Sequence, residues 1–240
     1  MCLLAVILGT RELIRILFNP EDSLTIKALF YFLMVFIFIS TVKMPQHSGL
    51  FFSISVIVFF SLGLILQKKF EDLQTLSVFL FKSILGFFYL GLLPGFACKL
   101  LDFPNGVIWF LTLLGVVLSG DTFAYIFGLL WGKRKIMPAV SPKKTVVGSM
   151  GGLFGSCLAA LVASSYLPNS TVTSMIFLAL LTGASGQFGD FFESLLKRIA
   201  DKKDSGSLMP GHGGVLDRID GILFGAPVVY IFALFLEGLF

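Results

Sequence analysis

Long apolar runs recur from one end of the chain to the other, separated only by short polar clusters, and this repetition constrains the fold more than any other feature. A helix that crosses a bilayer needs roughly 20 consecutive, mostly apolar residues. With 56% hydrophobic and 13% charged residues and a mean hydropathy of +0.94, the chain lies outside the range of soluble domains, so lipid is its main solvent. A membrane barrel would alternate polar and apolar residues along each strand, and these runs do not. The expected fold class is all-α: a polytopic transmembrane helix bundle of about seven to eight segments.

The spans fall at 1–18, 26–43, 50–67, 77–100, 106–131, 147–167, 172–189 and 219–236. The first is the weakest, because Arg11, Glu12 and Arg15 leave only a short apolar stretch before them. It reads as the tail of a span in a chain short of an initial helix. A cleaved signal peptide does not fit, since the basic residues follow the apolar run and the next segment is again hydrophobic. The chain is expected to divide into N-terminal helices over 1–105 and a second transmembrane domain over 106–240, which holds most of the polar residues.

Placing Lys43 and Lys99 on one side of the bilayer puts almost every other Lys and Arg on the opposite side, with Lys82 one turn inside a span and able to snorkel. The basic side is expected to be cytoplasmic. Two loops on that side, 132–146 and 190–218, hold nearly all the polar chemistry.

Asp190, Glu193, Ser194, Lys197 and Arg198 fall on one helical face as a helix leaves the membrane. A solvated helix end explains such a stripe on an average surface helix, but ionisable groups at a membrane boundary more often serve function. Downstream, glycines at 206, 211, 213, 214 and 221 let backbone approach a ligand, while Lys202, Lys203 and Arg218 supply donors for phosphate. Asp217 and Asp220 are one turn apart where the last span begins. Cys2, Cys98 and Cys157 stand singly, and His47 and His212 are too few for a histidine site. Any metal is therefore held by oxygen, which suits magnesium.

A third element runs from Ser119 to Thr145. Asp121 and Tyr125 share a helical face in an apolar run, with Gly120, Gly128 and Gly132 allowing close helix contact. Asp121 either faces a polar cavity or caps the second half of a broken helix. Ser141, Lys143, Lys144 and Thr145 read as a phosphate-binding turn or as a positive-inside anchor. Phosphate-loop, dinucleotide and serine-hydrolase signatures are missing. An acidic metal site with cationic donors at the surface of a membrane bundle suits phosphoryl or nucleotidyl transfer to a lipid.

The stretch SLLKRIADKKDSGSLMPGHGGVLDRID, from Ser194 to Asp220, resembles the C-terminal signature of the CDP-diacylglycerol synthase (phosphatidate cytidylyltransferase) family and meets every polar position of it. GDTFAYIFGLLWGKRK and SPKKT upstream are similar to the same family. Met209 departs mildly from the usual bulky aliphatic or Phe, and Val146 and Val147 stand where an aromatic and a Glu usually follow SPKKT.

The resemblance implies transfer of the cytidylyl group of CTP to phosphatidic acid, releasing pyrophosphate. It implies Asp190, Asp217 and Asp220 as ligands of Mg2+, with room for a second cation. It further implies Ser194, Lys197, Arg198 and His212 in catalysis, and Asp121, Ser141, Lys144, Thr145, Lys203, Asp204 and Arg218 in substrate binding. The expected partners are CTP, phosphatidic acid, the bilayer and, by resemblance only, a second copy of the chain, with no nucleic acid. The expected location is the bacterial cytoplasmic (inner) membrane, with the active site facing the cytoplasm. A CTP-dependent lipid kinase or another CDP-lipid synthase is the alternative, and a transporter with a helix broken at Asp121 is a remote one.

Overall fold

The computed structural model describes residues 2–19, 21–70, 72–202, 205–206 and 213–238. Among these residues the chain is mostly helical, and a bridge pairing joins Lys135 to Thr145. The helices are α1 (Cys2–Leu17), α2 (Leu24–Lys43), α3 (Ser48–Ile65), α4 (Leu73–Gly86), α5 (Leu93–Lys99), α6 (Gly106–Trp131), α7 (Val146–Ser164), α8 (Val172–Ile199) and α9 (Leu216–Leu236). Helices satisfy their own backbone groups, which hydrocarbon cannot do. Seven helical stretches among the described residues are long and apolar enough to span a bilayer, and the protein is an integral membrane protein.

The expected spans match these helices to within a few residues, and the shifts have local causes. Helix α4 starts earlier than expected, where the Asp72 carboxylate accepts the Thr75 N–H at 2.6 Å and caps the first turn. That backbone hydrogen bond also holds the Asp72 carboxyl below its ordinary value. Between α4 and α5 the helix widens into a π turn over Phe87–Leu92. Pro94 accounts for it, because its ring crowds the carbonyl four residues back and it has no N–H to donate. Helix α8 runs on past the expected membrane boundary to Ile199, carrying the acidic and basic stripe as continuous helix.

The chain forms two compact units: 1–96 with 199–218, and 97–198 with 219–240. The first has an aromatic core. Phe30 stacks on Phe87 at 4.8 Å and meets Phe18 edge-on at 5.0 Å, while Phe59 lies against both Phe87 and Phe79. Each such ring pair contributes about 0.5–1.5 kcal/mol beyond the area it buries.

Small residues build the second unit. Helices α6 and α7 pack along much of their length because Gly120, Gly128, Gly148 and Gly152 bring their backbones together. Ser156 donates to Val116 O at 2.9 Å and Ser119 to Gly155 O at 3.0 Å across the same seam. Helices α8 and α9 meet at Gly186, Gly189, Gly221 and Gly225. At the far end of this unit, Asn105 and Trp109 both donate to Glu237 Oε1, tying the start of α6 to the end of α9.

Candidate active site

The loop between α6 and α7 is a small hairpin and not an open turn. Val146 N–H donates to Arg134 O at 3.0 Å and Ile136 N–H to Lys144 O at 3.2 Å, which turns Lys143 and Lys144 back over α6 and α8. Thr145 ends the hairpin and starts α7: its Oγ1 accepts the Gly148 N–H at 3.1 Å, and the side chain is buried. Thr145 thus lines the cavity and is also the N-cap that fixes where the lysines lie.

Beneath the hairpin is a cavity of about 450 Å³. Helix α6 contributes Asp121 and α8 contributes Asp190, while Lys135, Lys143 and Lys144 enter from the hairpin, so three cations face two carboxylates. Tyr125, Leu129 and Phe191 make much of the remaining wall apolar. Lys144 pairs with Asp190 and lies 4.6 Å from the centre of the Phe191 ring, a contact worth on the order of 1 kcal/mol at a partly exposed site. Asp121 is within electrostatic range of both members of that pair. The cavity-facing reading of Asp121 holds over the helix-break reading, since α6 is unbroken through it.

Asp220, at the start of α9, also comes near Asp190. It is buried, with Asp190 and Glu193 within electrostatic range, and its Oδ1 accepts the Gly221 N–H at 2.9 Å. Gly189 makes this approach possible, because a Cβ built there would stand 2.5 Å from the Asp220 carbonyl oxygen. Glu193 pairs with Lys197 at 2.5 Å, one turn further along α8. Lys144 and Lys197 offset Asp190 and Glu193, and a third carboxylate beside them favours a further cation or a proton there.

The donor set fits magnesium, a hard ion usually bound by one or two carboxylates together with substrate phosphate oxygens. Among the described residues, no three acidic, histidine or cysteine side chains form a group that could hold an ion on their own. Asp190 and Asp220 are the pair the structure brings together.

Asp217 has a different setting. Its Oδ2 accepts from Gly214 N–H at 2.7 Å, Ser205 Oγ at 2.7 Å and Ser205 N–H at 3.2 Å. Arg198 Nε donates to Val140 O at 3.4 Å, bracing the hairpin. Ser141 lies outside the cavity lining, in a turn closed by its N–H on Met137 O at 2.9 Å. Ser194 is half-buried on α8, and Arg218 is exposed at the start of α9. Lys203, Asp204 and His212 lie outside the described residues.

Two groups in this unit carry no role in the motif pattern yet line the cavity. Gln187 accepts from Ser149 Oγ and donates to Ser149 O at 3.0 Å, forming a polar patch between α7 and α8. A glutamine inside an apolar membrane run needs such a partner, and that was the available signal.

The model of the cytidylyltransferase family matches residues 1–236. A phosphatidate cytidylyltransferase of Synechocystis sp. is 31% identical over 264 residues, covering 97% of this chain and 87% of that protein. A phosphatidate cytidylyltransferase of Thermotoga maritima is 46% identical over 124 residues, 49% of this chain and 46% of that protein. The uncharacterized protein YnbB of Escherichia coli is 41% identical over 131 residues, 55% of this chain and 44% of that protein. The chain's matches thus span less than half the length of the last two relatives.

Proposed function

Because the chain belongs to the cytidylyltransferase family, we propose that it transfers the cytidylyl group of CTP to phosphatidic acid, giving CDP-diacylglycerol and pyrophosphate. The observation that carries this reading is the cavity, where Lys143 and Lys144 face Asp121 and Asp190 within a membrane bundle. Its cations suit a polyphosphate, and its apolar wall suits a lipid next to it.

In the proposed reaction a phosphate oxygen of phosphatidic acid bonds to the α-phosphorus of CTP. The bond from that phosphorus to the bridging oxygen of the β-phosphate breaks, and pyrophosphate leaves with the bridging oxygen and the electron pair. The nucleophile is already an anion, so the protein's task is alignment and charge neutralisation. Lys143 and Lys144 hold the triphosphate, with Lys144 moving from Asp190 to a phosphate oxygen. Gln187 and Ser149 offer hydrogen bonds at the cavity wall. Lys197, Arg198, Lys203 and Arg218 supply further cations, and Ser194 and His212 orient phosphate oxygens or water. Asp190 and Asp220 would hold magnesium, which when bound withdraws charge from the phosphoryl oxygens.

Purified chain given labelled CTP and phosphatidic acid should yield labelled CDP-lipid. Phosphorylated lipid alcohol with CDP would instead show a kinase, and no nucleotide turnover would leave the transporter reading. Chelation should abolish product and added magnesium restore it.

The active site is proposed to face the cytoplasm of a bacterial inner membrane, as the basic loops require. Single cysteines at Lys135 and Lys202 should then react only with reagent admitted to that side. Labelling of either from outside sealed cells rejects this orientation.

Val147 lies in the first turn of α7, two residues after the capping Thr145. A carboxylate there would be favoured by the helix N-terminus and would order the neighbouring lysines. Val147→Glu should lower KM for CTP by about threefold with kcat little changed, as expected for uniform binding. A rise in kcat of about a hundredfold would show instead that the natural chain is catalytically impaired at this position.

A further inference from the structure

Helix α1 carries a carboxylate that the reaction above does not use. Glu12 is 1% exposed, on the inward stripe of α1 with Gly9, Leu13 and Ile16. Its Oε1 accepts the Val215 N–H at 3.0 Å, and its Oε2 accepts the Leu216 N–H at 3.0 Å and lies 3.2 Å from Ser205 Oγ. Leu216 opens α9 and Val215 immediately precedes it, and amides at a helix start have no acceptor within their own helix. Glu12 supplies that acceptor from a residue about 200 positions away in sequence. Its charge is also the sign that the positive end of a helix favours.

The loop is shaped to receive this carboxylate. A Cβ on Gly206 would stand 2.5 Å from Glu12 Oε1, and one on Gly214 would stand 2.4 Å from Oε2. Two glycines that read in the sequence as making room for a ligand thus make room for Glu12. Ser205 lies between two carboxylates, with its Oγ 2.7 Å from Asp217 Oδ2 and 3.2 Å from Glu12 Oε2. Lys202 adds a second tie by donating to the backbone carbonyl of Arg15 near the end of α1.

We propose that Glu12 is a positioning residue for nucleotidyl transfer: it sets the start of α9, with Ser205 and Gly214 beside it, and so places Asp217 and Arg218. The proposal rests on the cytidylyltransferase reading. It gives the short, charge-bearing first helix a role at the signature loop.

The test compares Glu12→Gln, Glu12→Asp and Ser205→Ala with wild type, with Glu237→Gln as control. Glu237 also accepts two side-chain hydrogen bonds but lies at the far end of its own unit. Wild-type synthesis of CDP-lipid tests the underlying reading by itself, so its failure is separate from failure of the variants. Per folded molecule, Glu12→Gln should lower kcat at least about tenfold, with KM for CTP within about threefold, because geometry is lost and not substrate contact. Glu12→Asp should recover part of the loss. Ser205→Ala, which leaves the buried carboxylate in place, should lower kcat by about threefold to tenfold.

Hydrogen exchange at the Val215 and Leu216 amides should accelerate at least about tenfold in Glu12→Gln and stay unchanged in Glu237→Gln, whatever the activity. The proposal is overturned if exchange at those amides does not change. It is equally overturned if kcat in both Glu12→Gln and Ser205→Ala stays near wild type, or if Glu237→Gln reproduces the kinetic loss.

Discussion

Asp220→Asn should lower cytidylyl transfer by roughly a thousandfold at saturating magnesium while the protein still folds and inserts. Asparagine keeps the shape of aspartate, so the buried space beside Gly189 stays filled and only charge is lost. The carboxylates near Asp220 are Asp190 and Glu193, so the substitution removes like-charge repulsion and breaks no ion pair seen at that residue. Thermal stability in detergent should therefore hold or rise as activity falls. Loss of activity together with loss of fold would make Asp220 structural. Near-normal turnover would remove it from the proposed metal pair.

Gly189→Ala should cost about a hundredfold in kcat or more, through a single methyl group that touches no substrate. The new Cβ would stand 2.5 Å from the Asp220 carbonyl oxygen, 3.1 Å from its carbonyl carbon and 3.0 Å from Phe224 Cβ. Backbone cannot swing aside as a side chain does, so α9 must move away from α8 and separate the two aspartates. Gly115→Ala is the control, because its Cβ would meet only Ala159 at an ordinary 3.8 Å, in the seam between α6 and α7. It should leave kcat within about twofold. A Gly189→Ala enzyme with normal kcat would show that the spacing of Asp190 and Asp220 is not set at this crossing.

The helices could be read from the sequence because hydrocarbon leaves the backbone few options, and α6 appears with the bounds that its apolar run predicts. Asp121, Lys144 and Asp190 could be named from their chemistry, yet their convergence could not, since it depends on the hairpin over 132–146 and on glycine contacts between helices. Thr145 shows the limit of a motif: the run of polar residues suggested a phosphate turn, while its second role as the N-cap of α7 depends on the Gly148 N–H and could not be read from the run alone. Glu12 was the least legible. Between two arginines it looks like the polar end of a helix, and nothing local reveals that its acceptor atoms serve amides near the other end of the chain.

The pair of Lys144 and Asp190 bears on the order in which ligands can enter. While the two are joined, each neutralises the other, and a newcomer of one sign would free one partner and strand the other. A bare nucleotide would take Lys144 and leave Asp190 exposed to its own negative charge; a bare cation would do the reverse to the lysine. A metal–nucleotide complex carries both signs, so it can exchange with both partners at once and leave neither uncompensated. In the proposed reaction the complex would therefore enter as one particle, and free CTP in excess over magnesium should behave as a weaker, competing ligand.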